Sequence, residues 1–123
     1  IASNASDQPD IYSAMGICYD KLGQYSQAIE AYESALKLAP RPDIYNNLGI
    51  VLDKIGSYPE AELAYREALN IQKDYKQAVF NLANIYKKQK KTGAARELYK
   101  NFIETIENET DRSEALQKLR ELK

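Results

Sequence analysis

Residues 45–65, YNNLGIVLDKIGSYPEAELAY, decide the fold. Tyr45, Leu48, Gly49 and Leu52 recur at the three- and four-residue steps of one helix face, and Ala61 and Tyr65 resume that spacing after a break. Gly56 stands at the break, where a chain leaves a helix through positive φ. The same order occurs 33 residues earlier as Tyr12, Met15, Gly16, Tyr19, Gly23, Ala28 and Tyr32. It occurs again 34 residues later as Val79, Leu82, Ala83, Tyr86, Ala95 and Tyr99. A fixed period of this length marks a solenoid, in which each unit is one supersecondary element that buries its apolar face against its neighbours.

The 123 residues therefore divide into an N-terminal stub, 1–8, read as a linker remnant, three units, 9–41, 42–75 and 76–109, and a tail, 110–123. Each unit predicts an antiparallel helix pair, with Gly16, Gly49 and Ala83 set against Ala28, Ala61 and Ala95 so that the two backbones approach closely. Pro9 and Pro42 suit first turns, and Ser57-x-x-Glu60 reads as a capping box. The third unit has Lys90 in place of the turn glycine and a displaced Gly93, which predicts a longer or differently shaped turn. In the tail, Ala115, Leu116, Leu119 and Leu122 form one stripe behind Thr110 or Asp111 as caps, the pattern of a closing helix.

Composition removes several function classes. Seventeen Lys and Arg against eighteen Asp and Glu leave a net charge of −1, so no basic field exists to hold nucleic acid or an anionic membrane. The absence of His and the single cysteine, Cys18, remove imidazole chemistry, His/Cys zinc sites and any intramolecular disulfide. The carboxylates are spread along helix faces beside lysines rather than paired across a cleft, so no enzyme, metal or cofactor is expected. The apolar run Leu48–Leu52 falls far short of the roughly 20 residues of a membrane span. A soluble chain is expected, with the cytoplasm slightly favoured and the compartment otherwise open. Cys18 shares its helical place with Val51 and Ile85 and is expected to be a small buried apolar residue.

The order of aromatic, large apolar, small and alanine positions resembles the tetratricopeptide-repeat family over residues 9–109, with a tail like that family's closing helix. Departures are Tyr12, Tyr45 and Val79 in place of the family tryptophan, Phe102 where the earlier units have Ala35 and Ala68, and the prolines missing after units two and three. The resemblance implies an all-α solenoid of three antiparallel helix pairs and a capping helix. It also implies a right-handed superhelix whose concave groove binds a peptide or protein partner.

Placing successive residues about 100° apart around a helix locates that groove. If the core stripe of the first helix centres on Tyr12 and Tyr19, the far side carries Asp10, Ser13, Ala14, Ile17 and Lys21. The corresponding sets are Asp43, Asn46, Asn47, Ile50 and Lys54 in unit two, and Gln77, Phe80, Asn81, Asn84 and Lys88 in unit three. Ile17, Ile50 and Phe80 are apolar there, contacting either a ligand or the next hairpin. The asparagines Asn46, Asn47, Asn81 and Asn84 offer donor and acceptor to a peptide group, or to a neighbouring helix. Asn47 and Asn81 are similar to the asparagine ladder of O-linked N-acetylglucosamine transferase repeats, with Ala14 breaking the ladder in unit one.

Another branch of the family clamps chaperone C-terminal tails with lysines, an arginine and asparagines. The matching places here hold Ser13, Ile17, Asn47, Gln77 and Asn81, which contain no cation, so such tails are disfavoured. The expected function is a scaffold holding an extended segment of a partner. The alternatives are self-assembly through exposed hairpin ends into a homo-oligomer, and the adaptor portion of a longer enzyme.

Overall fold

The computed structural model describes residues 8–122, so the stub read over 1–8 lies outside the described residues except for Gln8. Seven helices and no strand are present among them: α1 Gln8–Lys21, α2 Tyr25–Leu38, α3 Pro42–Lys54, α4 Tyr58–Ile71, α5 Lys76–Lys88, α6 Thr92–Thr105 and α7 Glu109–Glu121. Each helix packs on the next in sequence, and α1 also touches α3 while α3 touches α5. First helices in mutual contact lie on the inside of the curve, and α2, α4 and α6 lie outside.

All three hairpin turns close in the same way. The amide of Gly23 donates to the Asp20 carbonyl and that of Gln24 to Tyr19; Gly56 and Ser57 repeat this to Asp53 and Leu52, and Lys90 and Lys91 to Lys87 and Tyr86. The pattern needs a left-handed residue, supplied by Gly23 at φ 76°, Gly56 at φ 80° and Lys90 at φ 62°. The third turn is therefore neither longer nor differently shaped, as the displaced glycine had suggested. Lys90 takes up the conformation itself, and Gly93 falls inside α6.

Two caps differ from expectation. Ser57 is the N-cap of α4, but its φ −84° and ψ 67° are not the extended geometry that aims a side chain at the first turn, and it makes no capping bond. The last helix is capped not by Thr110 or Asp111 but by Asn108, whose side chain accepts from the Asp111 amide at 2.9 Å.

The core consists of two clusters. Ala28, Tyr32 and Ala35 gather with Ile44 and Val51 of the next unit. The larger cluster runs from Ala61 and Tyr65 through α5 and α6 to Ala115 of α7. The small residues of the first helices make room for tyrosine rings rather than for alanines: a Cβ on Gly16 would stand 2.5 Å from Tyr32 Cε1, and one on Gly49 2.5 Å from Tyr65 Cε1. Burial pushes the Tyr32 and Tyr99 hydroxyls up to about 12 and raises that of Tyr65 as well, since a phenolate would lose its hydration there.

Cys18 corrects another expectation, because it is exposed. Its register partners Val51 and Ile85 are fully buried, in clusters that include α2 and α4 residues respectively. Among the described residues no helix stands in the equivalent place beside α1, so Ile11 and Met15 are exposed with Cys18 along one stripe.

Candidate functional site

The inner wall is built by α1, α3 and α5, and its charges are tied together between units. Lys54 Nζ reaches Asp20 Oδ1 of the preceding unit at 2.7 Å, and Lys88 Nζ reaches Asp53 Oδ1 at 2.7 Å. Arg41 spans Asp10 at 2.6 Å and Asp43 at 2.8 Å, and its guanidinium holds the Asp43 carboxyl below the usual range. Lys76 carries the pattern to α7, meeting Asp111 at 3.1 Å and Glu114 at 2.8 Å. The aspartates were visible in the sequence only as charges on helix faces. The overlooked signal is that the doublets Asp20-Lys21 and Asp53-Lys54 recur one period apart, so that a carboxylate of one unit meets the lysine of the next.

The expected site residues separate into three groups. Asn46 is not open to a ligand: it is buried, and its carbonyl accepts from Asn81 Nδ2 at 3.0 Å across the seam between α3 and α5. Phe80 also belongs to a seam, packed edge-on against Tyr99 at 5.7 Å and Phe102 at 5.9 Å of α6. Ser13, at the same register position, is buried too. This correction has one cause. The face that carries the small residue, Ser13 with Gly16 on α1 and Asn46 with Gly49 on α3, is turned to the hairpin's own second helix and is buried even on α1; α3 also buries Ile44 with Val51 about 180° away.

Lys54 and Lys88 form the second group. They remain on the wall, but each is engaged with an aspartate, and Lys88 also sits 5.5 Å above the Tyr58 ring.

The third group is at least partly open to solvent. Asn84 is exposed, Ile17 is 39% exposed, and Asn47 is half-buried without a hydrogen-bond partner for its amide among the described residues. Ile50 is half-buried against the larger core cluster, so part of its side chain belongs to the next hairpin. Asn81 is half-buried and gives one amide hydrogen to Asn46, leaving its carbonyl for another donor. These positions thus leave asparagine amides and isoleucine methyls accessible beside Lys54 and Lys88, whose charges are already paired.

Among the described residues, no group of three or more Cys, Asp or Glu is placed to hold a metal ion, and no helix is long and apolar enough to cross a membrane.

The tetratricopeptide-repeat sequence pattern matches residues 9–42, 43–74 and 76–109. In structure, the chain is similar to the first such domain of Spaghetti (RPAP3) bound to the HSP90 peptide SRMEEVD. The TM-score is 0.79 at 22% identity, covering 94% of this chain and 92% of that one. It is also similar to the repeat domain of Arabidopsis OM64, with TM-score 0.79, 17% identity and coverage of 95% and 98%. A third similar structure is the TPR2B domain of yeast Sti1 in its pHsp70 complex, with TM-score 0.79, 21% identity and coverage of 92% and 94%. No curated protein matches the chain in sequence.

Proposed function

The chain belongs to the tetratricopeptide-repeat family, and from that premise we propose that it is a non-catalytic scaffold whose inner wall holds an extended, largely neutral segment of a protein partner. The observation that carries this is the state of two of the wall's cations: Lys54 and Lys88 each end 2.7 Å from an aspartate of the preceding unit. A ligand carboxylate would have to displace that partner, whereas the amides of Asn47 and Asn84 and the carbonyl of Asn81 offer hydrogen bonds without such exchange. First helices of adjacent units stand roughly 8–10 Å apart, and an extended peptide advances about 3.3 Å per residue, so Asn47 and Asn81 address peptide groups about three residues apart. Ile17 and the open part of Ile50 supply apolar contact between them.

An affinity near micromolar, about −8 kcal/mol, suits three units and a ligand that loses entropy on binding. The test is selection of neutral and acidic twelve-residue peptides on the chain, followed by calorimetry. Neutral sequences should be enriched, and Asn47→Ala with Asn81→Ala should weaken them about tenfold or more. The SRMEEVD peptide, which the RPAP3 domain holds, is the counter-test. A micromolar complex with it that depends on Lys54 and Lys88 overturns the neutral-ligand proposal.

A second function, self-association, is favoured by the stripe on α1. Ile11 is 44% exposed and Met15 39%, while Ile44 and Ala78 at the place of Ile11 are fully buried and Leu82 at the place of Met15 is buried. Light scattering over a concentration series should show dimers that Met15→Glu dissolves, and a monomer at millimolar concentration removes this role.

A further inference from the structure

On the outer side of the molecule, α2, α3 and α4 enclose a groove of about 280 Å³ with an apolar floor that includes Leu48, Leu52 and Leu63. Leu63 is 61% exposed although it projects from the middle of α4. Glu33, Glu60 and Glu67 line the same groove, and all three are exposed. The ion pairs among the described residues all lie elsewhere, so none of the three carboxylates is neutralised by them.

The repeat supplies an internal comparison. One unit on, the place of Glu33 is taken by Arg66, and those of Glu60 and Glu67 by Ala94 and Asn101. Arg66 donates to the Tyr86 hydroxyl at 2.9 Å and pairs with Glu62 at 2.9 Å, so the chain covers that position with its own guanidinium. The groove of unit two has the carboxylates and the leucines but not the cation.

We propose that this outer groove is a second binding site, separate from the inner wall, and that it takes a peptide segment of a partner protein bearing an arginine or lysine beside a leucine-like residue. The cation lies among Glu33, Glu60 and Glu67, and the apolar neighbour covers Leu48, Leu52 and Leu63. The volume sits at the small end of ligand pockets, roughly 300 Å³ and up, which suits one or two anchoring side chains rather than a folded domain. Charge complementarity selects the ligand, and salt weakens it.

The experiment uses a fluorescein-labelled twelve-residue peptide of alternating leucine and arginine, and its twin with citrulline, the neutral isostere, for arginine. Anisotropy should show binding of the first and at least tenfold weaker binding of the second. Glu33→Gln with Glu67→Gln should cost about fivefold to tenfold, the sum of two exposed ion pairs, and Glu33→Arg should abolish binding by setting a cation of the chain's own beside Glu60 and Glu67. These residues are exposed, so circular dichroism should report unchanged folds. Equal loss in the control Glu30→Gln with Glu104→Gln, which removes the same charge elsewhere, overturns the proposal. So does a set of amide shift changes centred on Asn47 and Asn84, which would place the peptide on the inner wall instead.

Discussion

Gly49→Ala tests the packing of the hairpins most directly. A Cβ built there stands 2.5 Å from Tyr65 Cε1 and 2.8 Å from Cδ1 and Cζ, against the roughly 3.5–4.0 Å of ordinary carbon contact. Tyr65 is 1% exposed, so its ring cannot swing into solvent and must push α4 away from α3. Overpacking of this kind costs about 1–3 kcal/mol, while alanine in place of glycine within a helix returns about 1 kcal/mol. The net effect is a loss of about 1 kcal/mol, or about 3–6 °C in Tm for a chain of this length. Gly93→Ala provides the reference, because nothing lies within 4 Å of its Cβ position and it lies in the first turn of α6. That change should stabilise by about 0.5 kcal/mol. Urea unfolding of the two variants beside the parent measures both, and the difference isolates the steric contribution. A Gly49→Ala protein as stable as the Gly93→Ala one would falsify the close packing of glycine against tyrosine.

Lys90→Gly should stabilise by up to about 1 kcal/mol in the same assay, since relief of left-handed strain exceeds the added freedom of the unfolded chain. Asn108→Ala removes the cap on the Asp111 amide and should cost about 1 kcal/mol, seen as faster hydrogen exchange in α7 with little change in α1. Alkaline pH should unfold the chain through its buried tyrosines. Tyr32 and Tyr99 hold their protons to about 12 when folded, against about 10 when unfolded, so their contribution is complete below pH 10 and falls between 10 and 12. The expected slope is about 1.4 kcal/mol per pH unit for each tyrosine, and Tyr32→Phe should flatten the stability–pH curve obtained from urea midpoints.

The repeat, its helix pairs and the glycine turns were legible because they depend on residues within one unit: Gly23 and Gly56 adopt the positive φ that their positions suggested. What was not legible depends on which unit stands next door. Cys18 occupies a core register, yet it is exposed because burial there is supplied by the second helix of a preceding hairpin. Centring the buried stripe on the Tyr12 and Tyr19 register leaves Asn46 and Phe80 on the groove side, whereas the buried face runs through Ser13 and Gly16 on α1 and Asn46 and Gly49 on α3. Placement on α1, which has a neighbour on only one side among the described residues, shows the difference: its buried residues Pro9, Ser13 and Gly16 lie on one side. The placement of the third turn also escaped the sequence, since a lysine at φ 62° departs from the preference of side-chain-bearing residues.

The two sides of the molecule consequently use charge in opposite ways. On the inner wall, aspartate and lysine recur at the same places, so each unit neutralises the next, and the contacts Asp20–Lys54 and Asp53–Lys88 align first helices instead of attracting ligands. The pattern stops in unit three, where Lys87 stands at the place of Asp20 and Asp53, and Lys76 joins α7 through Asp111 and Glu114 instead. Exposed pairs of this kind add little stability singly, about 0–1 kcal/mol, but shifting one unit against another would bring like charges together, so they oppose slippage more than unfolding. The groups left outside the pairing on that wall include the amides of Asn47 and Asn84, the methyls of Ile17 and the ammonium of Lys21, and the proposed recognition rests on the first three. On the outer side, the unit-to-unit change from Glu33 to Arg66 breaks the repeat: Arg66 pairs with Glu62, while Glu33 has no ion pair among the described residues.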